Sequence, residues 1–247
     1  MRCLLLACAA LGLLGLSGCV RSSTVLKVKP DGSGTLEITT VVAQEVIKQV
    51  RAEGAQELFK QADAEAYAQQ LGAGVTFVSA APLKDDFGEG AQVVYAFSDV
   101  TKLKVPQSPT QDSAKKDPPL TFRFVKGETA TLTIVAPPRP APIKPDQIEE
   151  PGPVEISRFK EQTKGSRIRI AVIPEGKLVQ TSSPHVDGNT VTYVEIDYDT
   201  LLADEAGFKK FAVANQKGLA ELKACVKDLK GIKINPDPET TIEFTAK

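Results

Sequence analysis

Hydrophobic and polar residues alternate along much of the chain, and apolar residues at helical spacing fill several of the intervals. The alternation over 25–42, interrupted by Pro-Asp-Gly-Ser-Gly at 30–34, predicts a β-hairpin. Apolar residues three and four apart predict helices over 43–71 (with a break near Gly54), 199–215 (with Asp199 as N-cap) and 219–229. Further strands are predicted at 75–82, 91–97, 120–125, 129–135, 167–173, 178–182, 190–197 and 240–245, and a short amphipathic segment at 154–162.

A proline-rich stretch divides this pattern into two parts. Residues 137–153 contain seven prolines in 17 residues, and proline is excluded from the interior of helices and sheets. We therefore predict an α+β fold in which antiparallel β-hairpins and sheet pack against amphipathic helices. It would form two lobes, residues 19–136 and 154–247, joined by an extended connector at 137–153.

The N-terminus has the pattern of a secretion signal. Arg2 precedes an apolar stretch over 4–16 that is too short to span a bilayer stably. The stretch ends in Leu16-Ser17-Gly18-Cys19, which resembles the bacterial lipobox. This resemblance implies that residues 1–18 are a signal peptide, removed by signal peptidase II between Gly18 and Cys19. It also implies diacylglyceryl and N-acyl groups on Cys19. The alternative is an ordinary secretory peptide.

The lipobox resemblance implies a location as well. The lipid on Cys19 would anchor the protein to a membrane on the extracytoplasmic side. In Gram-negative lipoproteins, Asp after the lipidated Cys retains the protein in the inner membrane. This chain has Val20 at that position, which favours the outer membrane if the cell has one.

Composition and charge exclude several classes of function. With 30 Lys and Arg against 31 Asp and Glu, the chain lacks the basic excess that binding to nucleic acid requires. Two of the four cysteines, Cys3 and Cys8, would leave with the signal peptide. Cys19 would be acylated, so that only Cys225 keeps its thiol and no disulfide can form within the mature chain. Cys225 lies on an apolar helical stripe and is interpreted as a small buried hydrophobe rather than a reactive thiol.

The single histidine is the first candidate for catalysis. Ser182, His185 and Asp187 contain the residue types of a catalytic triad, but their closeness within a turn favours a solvated loop. One histidine cannot supply a site with several histidine ligands. The sequence therefore predicts neither a catalytic residue nor an enzyme.

Acidic residues supply the candidates for a metal site. Glu195, Asp197 and Asp199 are two residues apart, which on a strand places them on one face, a geometry suited to binding Ca²⁺ or to an acid/base pair. A solvent-facing strand end that runs into a helix cap is the favoured interpretation. Asp31-Gly32-Ser33-Gly34 lacks the oxygen ligands of a calcium loop. No metal and no cofactor beyond the covalent lipid is expected.

Three basic residues follow the lipobox closely. Lys27 and Lys29 alternate on the first predicted strand, and Arg21 precedes it. Because a tether of about six residues reaches at most about 20 Å, the domain would sit close to the bilayer. These residues are candidates for contact with anionic headgroups. An ordinary solvated face is the favoured interpretation.

Two further segments resemble one family of bacterial lipoproteins. Val28-Lys29-Pro30-Asp31-Gly32-Ser33-Gly34-Thr35 after a lipobox, and Ile173–Val179 with Val186–Tyr193, are similar to the LppM-type domain. The resemblance implies an α+β extracytoplasmic domain with a fold like that of lipid-binding proteins. It implies no enzymatic residues. The chain departs from members that have a C-terminal transmembrane helix.

Two functions remain open at this point. The first is a non-enzymatic module that binds a lipid or another hydrophobic ligand at the membrane. The second is a structural or assembly lipoprotein that binds an envelope protein, whose identity is unknown. An apolar cavity of several hundred Å³ would favour the first, and a broad exposed apolar patch the second.

Overall fold

The computed structural model describes residues 20–52, 59–107 and 118–246. The strands are β1 (Val20–Val28), β2 (Gly34–Ala43), β3 (Val75–Lys84), β4 (Gly88–Phe97), β5 (Thr121–Val125), β6 (Thr129–Val135), β7 (Arg167–Pro174), β8 (Lys177–Thr181), β9 (Val186–Asp187), β10 (Thr190–Asp197), β11 (Ile232–Ile234) and β12 (Glu239–Thr245). The α-helices are α1 (Gln44–Ala52), α2 (Gln61–Leu71), α3 (Pro153–Thr163), α4 (Tyr198–Ala203), α5 (Glu205–Lys217) and α6 (Leu219–Val226).

The twelve described strands form two sheets. The large sheet has the order β11-β10-β7-β1-β2-β4-β3, with β9 paired to β10. The small sheet has the order β5-β6-β12-β8. Neighbouring strands are antiparallel except for β1 and β7, which run parallel. The predicted α+β fold class is confirmed.

The first hairpin follows its predicted turn chemistry. The Asp31 carboxylate accepts hydrogen bonds from the Ser33 amide at 2.9 Å and the Ser33 hydroxyl at 2.7 Å. These two bonds lower the pKa of Asp31. Gly32 has φ +86°, a backbone conformation that favours glycine. The turn joins β1 to β2 in register from Val20–Val42 to Val28–Gly34.

The two predicted lobes share both sheets. In the large sheet β1 pairs with β7, and in the small sheet β6 pairs with β12, so each sheet takes strands from both sides of residues 137–153. The buried apolar side chains of both halves belong to one core cluster. The boundary at the prolines therefore separates two stretches of sequence but does not separate two sheets.

Hydrogen bonds hold the proline-rich connector against helix α5. The Ile143 amide donates to the Gln216 carbonyl at 3.0 Å. The Gln216 side chain donates to the Glu149 carbonyl at 2.7 Å and accepts from the Glu149 amide at 3.1 Å. The connector belongs to neither sheet, and apart from a turn of 3-10 helix at Pro145–Gln147 it has no regular structure before α3. The buried Gln216 supplies hydrogen bonds to its backbone.

The predicted helix over 199–215 is two helices, and its cap differs from the prediction. The Asp197 side chain accepts from the Thr200 amide at 3.1 Å and caps α4, while Asp204 accepts from the Gly207 amide at 2.9 Å and caps α5. Asp199 lies inside the first turn of α4, so the prediction of Asp199 as N-cap was wrong. Asp197 ends β10 in an extended conformation, which is the conformation that an N-cap residue needs.

Candidate functional site

One face of the large sheet carries three aligned rows of side chains from five neighbouring strands. The first row is Ile168, Ser22, Thr40, Ala91 and Pro82, from β7, β1, β2, β4 and β3 in that order. The second row is Ile170, Thr24, Ile38, Val93 and Ala80. The third is Val172, Leu26, Leu36, Tyr95 and Phe77. We call this surface the inner face.

The first two rows leave a cavity, because most of their central side chains are small. Helix α2 lies over these rows, and Ala64 and Tyr67 on that helix line the space. Phe59, before the helix, and Pro106 and Gln107 also line the space, as do Lys60, Gln61 and Asp63 at the start of the helix. The cavity has a volume of about 610 Å³, which is typical of a small-molecule site.

Gly90 allows the strands to approach closely beside the cavity. A Cβ at Gly90 would lie 1.9 Å from the Thr40 carbonyl oxygen, so any side chain there would push β2 and β4 apart. Ala80 and Pro82 on the edge strand β3 are exposed, as are Phe59 and Lys60 at the start of the roof. The cavity is therefore open on the β3 side.

Two tyrosines connect the roof to the floor at the third row. The Tyr95 hydroxyl donates to the Ala64 carbonyl of α2 at 3.0 Å, and its ring meets Tyr67 edge-on with centroids 6.4 Å apart. Burial, with a smaller contribution from Tyr67, raises the pKa of Tyr95 to about 12, and burial also raises the pKa of Tyr67. Both phenols are therefore uncharged at neutral pH and hold α2 against the sheet.

The lipidation site lies outside the described residues, and this includes both Gly18 and Cys19. The described chain begins at Val20, which is already the first residue of β1. Ser22, in the first row of the cavity, is only three residues after Cys19, and an extended chain of that length spans at most about 10 Å. The cavity is thus close in sequence to the predicted anchor.

Two of the predicted membrane-facing residues lie on the outer face of β1 and are paired. The Arg21 guanidinium lies 4.1 Å from the centroid of the Phe87 ring and 3.8 Å from Asp85, and its Nε donates to the Gly165 carbonyl at 3.0 Å. Lys27 Nζ lies 3.9 Å from Glu37. Lys29 is exposed beyond the end of the strand. Contact of the three residues with headgroups stays a prediction.

Ser182 and His185, two of the candidate triad residues, interact with other groups. Ser182 Oγ accepts from the Thr241 amide at 3.0 Å, and His185 Nε2 lies 3.4 Å from the Ile234 carbonyl oxygen. Within the described residues no hydrogen bond joins His185 to Ser182 or to Asp187. Asp187 is exposed in the two-residue strand β9.

The three alternate carboxylates have cationic or amide partners. Glu195 lies 3.7 Å from Arg169 and 3.5 Å from Lys233, and Asp197 pairs with Arg167. Asp199 accepts from the Gly165 amide at 2.9 Å. No group of three potential metal ligands occurs in the part of the chain that the structure describes.

Asp197 is held ionised by its neighbours. Burial of the carboxyl opposes ionisation, but the hydrogen bond from the Thr200 amide and the ion pair with Arg167 outweigh it and lower its pKa. A carboxyl whose pKa is lowered by folding stabilises the fold above its ordinary pKa of about 3.9. That stabilisation is lost as the pH falls through the folded-state value.

We therefore expect Asp197→Ala to lower the free energy of unfolding by about 1 kcal/mol at neutral pH, because α4 loses its N-cap. The difference from the wild type should shrink as the solution becomes strongly acidic. Urea unfolding at several pH values measures both effects, with Asp187→Ala as the exposed control. If the loss of unfolding free energy in Asp197→Ala does not depend on pH, the ionised Asp197 is not the source of this stability.

Cys225 lies on α6 between the buried residues Leu222 and Val226 and is itself half-buried. Burial raises the pKa of its thiol, so the unreactive protonated form predominates at neutral pH.

Sequence patterns did not reveal the cavity. Ser22, Thr40 and Ala91 resemble ordinary strand residues, and their small size matters only because the strand register sets them side by side. One signal was present: Ser22 and Thr24 interrupt the otherwise aliphatic inward positions of β1, which continue with Leu26 and Val28.

No helix in the described ranges is both long and apolar enough to cross a bilayer.

Comparison with known proteins gives one distant similarity. Neither a protein-family model nor a curated protein matches the sequence. Among solved structures, the NMR structure of the folded domain of LppM from Mycobacterium tuberculosis is similar to this chain with 11% sequence identity and a TM-score of 0.36. The match covers 73% of this chain and 84% of that one, and it concerns the fold alone.

Proposed function

We propose that this protein is a membrane-anchored extracytoplasmic lipoprotein that binds a lipid or another hydrophobic ligand and catalyses no reaction. The observation that carries the proposal is the cavity of about 610 Å³ between the inner face and α2. Its floor contains Ile38, Val93, Ile168 and Ile170, whose aliphatic side chains suit a hydrocarbon. A site of this kind gives affinity through apolar burial.

The position of the cavity supports a role at the membrane. If Cys19 carries diacylglyceryl and N-acyl groups, β1 begins at the next residue and holds the sheet against the bilayer. An apolar ligand could then pass between the bilayer and the cavity without crossing much water. The lipobox and Val20 favour the outer membrane as the site of anchoring in a Gram-negative cell.

The alternative, a structural lipoprotein that binds an envelope protein, has less support. It calls for a continuous exposed apolar patch. The large exposed apolar side chains among the described residues lie on six different segments: Phe59 before α2, Val78 on β3, Val125 on β5, Val154 in α3, Val179 on β8 and Val186 on β9.

Filling the cavity tests the proposal. Thr40 lies in the middle of the first row, so Thr40→Phe places an aromatic ring inside the cavity. Thr39→Phe adds the same ring to the opposite face of the same strand. We expect native mass spectrometry of the lipoprotein purified from its own membrane to show a bound apolar molecule in the wild type and in Thr39→Phe. In Thr40→Phe the affinity should fall by roughly tenfold or more, the change in dissociation constant that a loss of about 1.4 kcal/mol produces, and the bound fraction should fall with it.

Two results would contradict the proposal. One is a wild-type protein that carries no apolar molecule and binds no added lipid. The other is a Thr40→Phe variant that is folded and retains as much ligand as Thr39→Phe. Unfolding by urea checks that both variants keep their fold.

A further inference from the structure

Two hydroxyl groups on the cavity floor have no hydrogen-bond partner among the described residues. Ser22 and Thr24 lie on β1, in the middle of the large sheet, and are only 7% and 8% exposed. Both line the cavity. Within residues 20–52, 59–107 and 118–246, no hydrogen bond joins either hydroxyl to another group.

Unsatisfied polar groups at such burial are uncommon in folded proteins. Most buried hydroxyls find a partner, because leaving one without a partner opposes folding. The neighbours of Ser22 and Thr24 on β7 are Ile168 and Ile170, which offer no side-chain hydrogen bond. On β2, Ser22 lies opposite Thr40, whose hydroxyl also lines the cavity, and among the described residues no hydrogen bond joins the two. Both hydroxyls therefore point to a partner that enters the cavity.

The chemistry of the pair indicates what that partner is. A serine or threonine hydroxyl carries no charge and both donates and accepts a hydrogen bond. A carboxylate or phosphate placed deep in an apolar cavity would need a cation beside it. Lys60 and Asp63 line the cavity from exposed positions at its rim, and Arg169 is 3.7 Å from Glu195. The floor thus offers hydrogen bonds without a charge.

We infer that the cavity takes an uncharged amphiphile, such as a long-chain alcohol or a monoacylglycerol. Its hydroxyl or ester oxygen is held by Ser22 and Thr24, and its hydrocarbon lies along Ile38 and Val93 towards the open side. This inference rests on the proposed function and adds to it the polarity of the ligand and the direction in which it lies.

The mature chain, residues 19–247, contains every described strand and helix and is suited to titration. Oleyl alcohol, oleate and octadecene share a long hydrocarbon chain and differ in the polar group. Displacement of an apolar fluorescent dye gives the affinity of each. Since a net hydrogen bond corresponds to roughly a tenfold change in affinity, we expect oleyl alcohol to bind at least about tenfold more tightly than either oleate or octadecene.

Two double substitutions test whether the preference for oleyl alcohol depends on the hydroxyls of Ser22 and Thr24. Ser22→Val with Thr24→Val should weaken oleyl alcohol roughly tenfold or more and leave octadecene bound as well as before or better. Ser23→Val with Thr39→Val makes the same chemical change on the outer face, where these two residues pair with each other, and should change neither affinity.

The outcomes separate this inference from the proposed function. If oleate binds as tightly as oleyl alcohol, or if the inner pair of substitutions leaves oleyl alcohol unaffected, the inference is overturned. The proposed function still stands in that case, provided that Thr40→Phe blocks every probe. If the folded wild type binds none of the three probes, both the inference and the proposed function are refuted.

Discussion

Neither half of the chain will fold when it is produced without the other. Residues 20–136 contain β1, whose parallel partner β7 lies in the second half, and β6, whose antiparallel partner β12 ends the chain. A fragment that stops before the prolines exposes the backbone edge of both strands and uncovers one side of the core. We expect such a fragment to lack a cooperative unfolding transition.

Magnitudes support this expectation. Four side chains of the first half that are at most 2% exposed share a core cluster with side chains of the second half: Leu26, Val28, Leu132 and Ile134 with Ile170, Val172, Ile242 and Phe244. Full burial of an aliphatic or aromatic side chain contributes roughly 1.5–3 kcal/mol. A whole domain is stable by only about 5–15 kcal/mol. Uncovering these four side chains therefore removes roughly 6–12 kcal/mol, which is most or all of the net stability.

Circular dichroism and urea titration of residues 20–136 and 154–247 measure the result. A chain of full length that is cut by a protease at a site introduced between Ala141 and Pro142 is the control, because it keeps all strands. That nicked protein should remain associated and folded. A cooperative transition in either fragment alone would show that the halves are independent domains.

The sequence predicted those features of the fold that are determined by residues close together in the chain. The β1–β2 hairpin is fixed by Asp31 and Gly32 in its own turn, and β7 and β10 follow from alternation over eight residues. The pairing of β1 with β7 joins residues about 146 positions apart, as in Ser22 and Ile168, and alternation does not specify which strand is the partner. Proline content predicted residues 137–153 to be extended, whereas Pro145–Gln147 form a turn of 3-10 helix and Pro153 begins α3. Proline content also cannot reveal that Gln216 holds this stretch against the core by hydrogen bonds.

The cavity could not be predicted from the sequence either. Each small residue on its floor is an ordinary strand residue when it is considered alone. The space exists because Ser22, Thr40 and Ala91 fall into one row and Gly90 keeps two strands close. Such an alignment is a property of register across three strands, which no local pattern encodes.

Cys19→Ala is expected to abolish lipidation and processing completely. The thiol is the only group on Cys19 that can take the diacylglyceryl chain, and cleavage before residue 19 follows that step in the lipobox pathway. Intact-mass measurement should find the wild type without residues 1–18 and with added acyl mass, and the variant with residues 1–18 and none. Labelled palmitate should enter only the wild type.

The free energy of membrane binding depends on the acyl chains that the Cys19 sulfur makes possible. Each buried methylene contributes about 0.8 kcal/mol, so two or three acyl chains hold a protein on a membrane lastingly, whereas one chain is marginal. Cys8→Ala is the matched control, since Cys8 lies within the predicted signal peptide and should change neither processing nor lipid mass. A Cys19→Ala protein that is still cleaved and still bound to the membrane would refute the prediction that a lipid on Cys19 anchors the protein. It would also remove the reason to place the cavity beside a bilayer, while leaving the binding of an apolar ligand to be judged by Thr40→Phe.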